Sequence, residues 1–566
     1  MDKIPPEILS QIVNAVADDG TPLAPYAPIS RHFRAAVEQR TFERLILTTH
    51  DLSQFRELFR GANVHRRRFL LRILFRFVLP DDGPDPCCEA GRVLDRRADS
   101  QSFTESVKTL FGIISDLRKH CPTPPPPLYL RFVNAIRDSD PPYRNYGWCR
   151  RKRREHTEDD EIRSRVQRGF YEFLPEKLPA LEDVTEFDFG GGEDLEDLAR
   201  GWIGLILETL PALEALMLDV LDNIEWGIGV RRQLSEDLTK SLLRLSLSCL
   251  KHLTLTIRHT RLEDESTIPP EILHDATTTI SDKLSNPRLI LTHLSTLPRL
   301  TTLHLRGPLI ITPVFFSSLP STAFPTLIHF HLDFAPETAD GHWFFERDDE
   351  WIEELRDKDD ESSSEKSYHE NQSSTSGDDY DDDEDEEDMD EDDDEEPKPL
   401  PRPGKHPNYE GPVSQSRSRI NHFRTLPSSA TLSPLLIAAA EIVKNASRLR
   451  KFIMRVRDTL TPEAEDNTLY TYPALKRTFE IMLLRPSEVH SGFNLNLAFD
   501  EERYITQHRM WWRVGNRWRP GKDVLEAWRE AIGDGGIVGF LDEERFEKDT
   551  EFARRMEFYR GDVEIV

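Results

Sequence analysis

The chain has 566 residues, 37% apolar and 31% charged, with a formal net charge of −29. That length exceeds one compact core and suits several domains or an extended repeat array. The charge excludes little by itself: residues 378–396 hold 17 acidic side chains in 19 positions, and removing those 17 from −29 leaves −12, an ordinary acidic chain. Five cysteines, Cys87, Cys88, Cys121, Cys149 and Cys249, form no C-x-x-C pair. They point to reduced intracellular thiols and not to a disulfide framework. The adjacent Cys87 and Cys88 read as a loop position after Pro84 and Pro86, with a redox or metal pair as the alternative. The opening MDKIPPEILSQIVN has no basic stretch ahead of an apolar core, so no secretory signal is expected. The apolar runs 69–80 and 434–443 are too short to span a membrane or carry Arg72 and Arg76. A cytosolic or nuclear protein with no membrane partner is expected.

At the N-terminus Ile4, Ile8, Leu9, Ile12, Val13 and Val16 make a helical stripe. Pro5 and Pro6 suit its first turn, Glu7 its positive dipole end, and Asp18-Asp19-Gly20 its stop. A second short helix carries Tyr26, Ile29, Phe33 and Val37, with Pro25 and Pro28 in its first turn. Phe42, Leu45 and Leu47 then lead into an extended piece. A unit of about 45 residues buries little alone and must pack on the rest of the chain or on a partner. By pattern alone, these are also acceptable as the first two helices of a larger helical cap.

The strings IPPEILSQIV (4–13), YAPISRHFR (26–34) and FERLIL (42–47) resemble an F-box, in the version found in fungal F-box proteins. The resemblance implies that these helices present an apolar face to a Skp-type adaptor, which hangs on a cullin–RING ubiquitin ligase. Carried onto this sequence, the adaptor-binding positions are Pro5, Ile8, Leu9, Ile12, Val13, Ile29 and Phe33. Pro28 departs from the pattern, because a helical residue is usual near there, and this puts the length of the second helix in question. Segment GHWFFERD (341–348) and the aromatic C-terminal stretch are similar to a region shared by many fungal F-box proteins, with no assigned chemistry.

Beyond the first module an amphipathic helix and a short strand alternate. The clearest strand segments are 210–220, 249–257, 297–307 and 324–334, each reading L-x-x-L-x-L or a close variant. Their apolar triplets are Leu213/Leu216/Leu218, Leu250/Leu253/Leu255, Leu300/Leu303/Leu305 and Leu327/Phe330/Leu332. Looser copies fall at 69–79, 127–133, 180–189 and 448–456, and helices are expected over 100–120, 195–209, 231–242 and 432–446. One strand and one helix cannot bury their own apolar faces, so the units must stack. The pattern resembles degenerate leucine-rich repeats, spaced roughly 27 to 48 residues apart. The expected fold class is α/β: a small helical F-box, then an irregular leucine-rich-repeat solenoid interrupted by a disordered acidic insert. A doubly wound α/β domain is the competing architecture.

Alternate strand residues face opposite sides. With the leucines inward, the other, concave face carries Arg72, Arg76, Tyr129, Arg131, Glu186, Asp188, Met217, Asp219, Thr254, Thr256, His304, Arg306, His331 and Asp333. This row is the candidate surface for an unknown protein target; a plain solvated sheet face is the alternative. From 348 to 418 apolar residues nearly vanish, which predicts disorder. That insert is either a solubilising loop or a phosphorylatable contact for basic partners. Near the C-terminus Gly515-Asn516 reads as a tight hairpin turn, with Arg and Trp alternating around it, followed by a helix over 523–532.

No H-E-x-x-H, G-x-S-x-G, phosphate-binding glycine loop or zinc-spaced Cys/His group occurs. His304 and His331 hold equivalent repeat positions; a metal site with Asp333 is conceivable, but solvated side chains are the expected state. The basic run 150–154 is an import signal, a nucleic-acid contact or a solvated loop. No catalytic residue, cofactor or metal is expected, and nucleic acid is not an expected partner. The organisation expected is F-box 1–47, repeat domain 48–347, insert 348–418, and the last repeats with a C-terminal cap 419–566. The function expected is a non-enzymatic substrate receptor of an SCF-type ligase; the alternatives are a non-degradative F-box scaffold and a chromatin-associated binder.

Overall fold

The computed structural model describes residues 4–80, 96–119, 126–137, 177–190, 201–222, 227–244, 247–259, 286–317, 319–350, 424–456, 479–488, 504–515, 518–542 and 559–565, with single positions at 174, 265, 266, 268, 269, 271 and 353. The chain divides into two units. The larger comprises Met1–Leu262, Ile268–Phe345 and Pro427–Val566, and the smaller Glu263–Thr267 and Glu346–Leu426. Expectations for Cys87, Cys88, Cys121, Cys149, the basic run, the acidic tract and most of the insert fall outside the described residues.

The larger unit is mixed α/β with a large, mostly parallel sheet. It opens with helix α1 (Pro6–Asp18), a 3-10 helix (Ala24–Ile29) and helix α2 (Arg31–Glu43). The expected single second helix is therefore two. The chain breaks at Ser30, which is extended, and its Oγ accepts from Phe33 N at 3.1 Å as an N-cap. Prolines at 25 and 28 remain in the 3-10 segment, where they cannot support an α-helical ladder. Helix α2 runs directly into strand β1 (Arg44–Thr48).

From β1 the chain lays down β2 (Arg72–Leu79), β3 (Leu128–Arg137), β4 (Val184–Phe189), β5 (Ala215–Asp222), β6 (His252–His259), β7 (Thr302–Ile311) and β8 (His329–Thr338). Each strand pairs in parallel with its predecessor. Parallel neighbours need a crossover, and helices supply it: α3 (Leu52–Leu58) after β1, α4 (Arg96–Lys119) after β2, α5 (Trp202–Leu207), α6 (Gly227–Leu243) and α7 (Asn286–Leu294) before β5, β6 and β7. Strand order follows chain order without the reversal that marks a doubly wound sheet. The repeat leucines do what their spacing requires. Leu216, Leu253 and Leu303 are fully buried, as are Leu250 and Leu332, in a layer shared with the helices.

Helix α8 (Ser429–Asn445) leads to β11 (Lys451–Val456), which lies parallel to β8. The regular parallel succession stops there. Strand β12 (Phe479–Leu484) is antiparallel to β11, and β13 (Arg509–Val514) is antiparallel to β12. Asn516 of the expected hairpin turn lies outside the described residues. The next strand, β14 (Ile537–Asp542), runs parallel to β13, and helix α9 (Lys522–Ile532) is the crossover. Strand β15 (Tyr559–Ile565) closes the order antiparallel to β14. Among the described residues thirteen strands form this one sheet, and it does not close into a barrel.

The smaller unit centres on the paired strands β9 (Phe345–Arg347) and β10 (Arg424–Pro427). Fully buried Glu265 accepts from Arg424 N at 2.7 Å, and Thr425 Oγ1 donates to Asp348. These bonds fix the two points between which most of the expected insert lies. No helix among the described residues is long and apolar enough to cross a membrane.

Gly307 in β7 has φ +83°, and a Cβ there would stand 2.0 Å from the Ile257 carbonyl oxygen. Gly535 also has positive φ (+78°) but open space around it. Gly307→Ala is therefore expected to cost at least about 3 kcal/mol in chemical denaturation, against about 1–2 kcal/mol for Gly535→Ala. Equal losses would contradict the close approach of β6 and β7.

Candidate functional site: the second face of the sheet

Alternation leaves one face of the sheet against the helices and turns the other away from them. Pairing sorts this second face into cross-strand rows. One row runs Arg44, Arg72, Tyr129, Glu186, Ala215, His252, Thr302, His329 and Lys451. The next runs Ile46, Leu74, Arg131, Asp188, Met217, Thr254, His304, His331 and Ile453. A third holds Asp219, Thr256 and Arg306, with Asp333, Arg455, Glu480 and Arg513 continuing on its far side. All the expected target-face residues thus share one face, Arg76 lying opposite Thr48.

Their accessibility differs. Arg72, Glu186, Met217 and Arg306 are exposed, and Arg76, Tyr129, Arg131, Asp219, Thr254, Thr256, His304 and His331 are half-buried. Asp188 and Asp333 are buried and bonded to neighbours. A buried carboxylate needs such partners. Asp188 accepts from Tyr129 Oη at 2.7 Å and pairs with Arg131 at 3.3 Å. Burial and that carboxylate push the Tyr129 hydroxyl up to about 12. Gly190 leaves room for the Arg131 guanidinium, whose Nη2 would stand 2.7 Å from a Cβ there.

Asp333 is fully buried, 2.7 Å from His331 Nε2 and in a two-point contact with Arg455, at 2.5 and 3.3 Å. Burial alone would raise its pKa, but the bonds from His331 and Arg455 outweigh it and hold the group well below the usual carboxylate range. Beyond Arg455, burial raises Glu480, with Arg513 3.7 Å away opposing it. The rings of His304 and His331 meet edge to face at 5.8 Å, as their equivalent repeat positions require. Among the described residues no group of three His, Cys, Asp or Glu is placed to hold a metal ion. Past β8 the second row turns apolar: Ile453, Met482 and Trp511 form a buried cluster with Leu484 and Tyr504. Trp511 lies on Gly539, where any Cβ would meet its ring at 2.2 Å.

Arg455, Glu480 and Arg513 escaped the sequence reading, although Arg455 and Ile453 sit at the alternate positions of the copy recognised at 448–456. Strand β12 gave no such signal, being buried on both faces. A pocket near the carboxyl ends of β5–β7 is lined by Leu255, Ile257, Leu305 and Leu309. Asp222 and Arg231 close it with bonds of 3.1 and 2.9 Å between themselves.

The N-terminal module divides its expected adaptor contacts in two. Leu9, Val13 and Phe33 lie with Ala36 and Val37 in a small core between the helices. Pro5, Ile8, Ile12 and Ile29 are exposed, the three isoleucines at 44%, 40% and 46%. Glu38 of α2 ties the module to the body, accepting from Arg34 at 3.2 Å and Arg66 at 2.9 Å, with His65 Nε2 at 2.9 Å. Comparisons with protein-family models, curated proteins and solved structures find no match.

Burial, with nearby Arg306 and His331, lowers the His304 pKa from 6.5 to about 4. The unfolded chain therefore binds a proton between those values that the folded chain refuses, and stability falls as pH drops from about 6.5 to about 4. His304→Gln should flatten that part of a stability-versus-pH curve measured by urea unfolding. A slope unchanged by the substitution would rule His304 out as its source.

Proposed function

We propose that the chain is the substrate-recognition subunit of an SCF-type (Skp–cullin–F-box) ubiquitin ligase. Its N-terminal helices hold a Skp-type adaptor, and a face built of degenerate leucine-rich repeats selects a target protein. The observation that carries the reading is the division of labour in the first module. Leu9, Val13 and Phe33 satisfy its internal core, while Ile8, Ile12 and Ile29 remain exposed. Ile8 and Ile12 are one helical turn apart and form an aliphatic ridge on α1. Contiguous exposed apolar surface is the kind of feature that marks a partner site. The parallel strands laid down in chain order, with L-x-x-L-x-L leucines inward, suit a repeat array.

The mechanism is proximity. A receptor of this kind raises the local concentration of a bound target near a charged ubiquitin-conjugating enzyme and makes or breaks no bond itself. It needs no cofactor, and its partners are the adaptor, cullin through the adaptor, and the target.

The test is affinity purification of the intact chain beside an Ile8→Asp/Ile12→Asp variant. Burying an unpaired carboxylate at a docking surface costs several kcal/mol, so adaptor and cullin should accompany the wild type and vanish from the variant. The unfolding midpoint of that variant should stay near wild type, because both positions are exposed in the free chain. Leu9→Asp should instead destabilise the module itself. Absence of adaptor and cullin from the wild type would overturn the proposal.

A further inference from the structure

The third row of the second face ends in alternating charges. Asp333 of β8, Arg455 of β11, Glu480 of β12 and Arg513 of β13 lie in register, each beside the next. Their bonding does not alternate in the same way. Arg455 gives both Nε and Nη2 to Asp333, and His331 Nε2 lies 2.7 Å from the same carboxylate. Glu480 receives nothing comparable. Its Oε1 is buried and has no hydrogen-bond partner. Its Oε2 lies 3.7 Å from Arg513 Nη1, an ion-pair distance but outside hydrogen-bonding reach. The residue is 7% exposed, on a strand buried along its whole length.

Two carboxylates of one row thus meet opposite conditions. Asp333 has a guanidinium fork and an imidazole to hold its charge. Glu480 has lost water to burial and gained no donor in exchange, and a buried carboxylate without a donor is costly to keep ionised. Binding a proton removes that cost. Burial is the largest influence on Glu480 and raises its pKa above the ordinary 4.5. Among the described residues, Arg513 of β13, Arg455 of β11 and His331 of β8 oppose the rise, and Asp333 of β8 adds to it.

We infer that Glu480 is a proton-operated joint in the antiparallel end of the sheet: it takes up a proton on folding, and its ionisation as pH rises loosens β12 between β11 and β13. The row then works in two halves. The Asp333 half stays charged and bonded, and the Glu480 half answers to pH. A group raised by folding contributes its stability in full below its unfolded value of 4.5 and loses it as pH rises through the folded value. That sense is opposite to the one at His304, whose contribution is lost as pH falls. The effect reaches the neighbouring row. Met482, two residues along β12, belongs to the buried cluster of Ile453 and Trp511, so whatever loosens β12 bears on that cluster. The inference stands apart from the receptor reading.

The test is urea unfolding of the intact chain beside Glu480→Gln, a variant that keeps the shape of the protonated acid and has no charge to gain. Compared with wild type at each pH, the variant should have the higher urea midpoint near pH 7, and the difference should shrink as pH falls to 4.5. His304 and Glu38 are present in both chains, so their own pH dependence cancels. Infrared difference spectra, wild type minus variant, should carry the carbonyl band of a protonated carboxyl at about pH 6, where an ordinary glutamate is almost wholly ionised. A variant less stable than wild type near pH 7, or unfolded there, would mark Glu480 as a charged partner of Arg513 and overturns the inference. A midpoint difference that does not change with pH overturns it as well, and so does a difference spectrum without the carboxylic-acid band.

Discussion

Two-residue alternation along parallel strands is the constraint on which the rest of this molecule depends. Each strand offers one apolar side, and no pair of such strands can cover its own. A parallel neighbour cannot be reached by a tight turn, so the chain must cross over, and the crossover brings the helix that covers the apolar side. The outcome is a continuous buried layer that includes Phe42 of α2, the repeat leucines, Trp512 of β13 and Phe540 of β14. A fully buried leucine contributes about 2 kcal/mol, so the layer is worth far more than any polar contact in the molecule. Register follows from it: a slip by one residue would turn each leucine of a strand outward.

The second face inherits its order from that register. Because β5, β6 and β7 pair without a shift, Met217, Thr254 and His304 fall in one line although the sequence scatters them. The same geometry creates a problem wherever carboxylates enter the line, and the chain solves it locally. Asp188 is held by Tyr129 and Arg131, and Asp333 by His331 and Arg455. On strands β11, β12 and β13 the second row is apolar, with Ile453, Met482 and Trp511, and Glu480 of the third row lies between Arg455 and Arg513. The face is therefore not uniform: cationic and aliphatic at its first strands, hydrogen-bonded in the middle, and at the far end a buried apolar row beside a row of ion pairs.

Legibility in the sequence tracked the range of the physics. Every strand announced by an L-x-x-L-x-L or looser copy is present, because the period of two is local and the leucine side is buried throughout. Membership of the second face was equally readable, since it is the complement of the leucines. Burial on that face was not. Asp188 and Asp333 owe theirs to Tyr129 and Arg455, which are 59 and 122 residues away. Strand β12 was invisible because burial on both sides removes the alternation that betrays a strand. In the first module the stripe located the helices correctly, but a stripe does not say which half of it faces inward. Leu9 and Val13 took the core, and Ile8 and Ile12 were left outside.

A receptor that works by proximity needs more than two binding surfaces; it needs a fixed distance between them. On the receptor reading, two features of the chain supply it. Helix α2 passes into β1 at Glu43 and Arg44 with no intervening loop, so the helical module is continuous with the edge strand that carries Arg44 and Ile46. Glu38, one turn earlier, then pins the helix to the segment ahead of β2 through His65 and Arg66. Burial opposes ionisation of Glu38, but the hydrogen bonds from His65, Arg66 and Arg34 prevail and hold its pKa at about 2. A depressed value means that the tie contributes its full stability above the unfolded value near 4.5 and loses it only as pH falls toward about 2. At neutral pH the carboxylate is therefore charged. On the receptor reading, the exposed isoleucines of α1 and the second face at β1 and β2 are joined by a continuous helix–strand junction and the Glu38 bonds, and not by a linker.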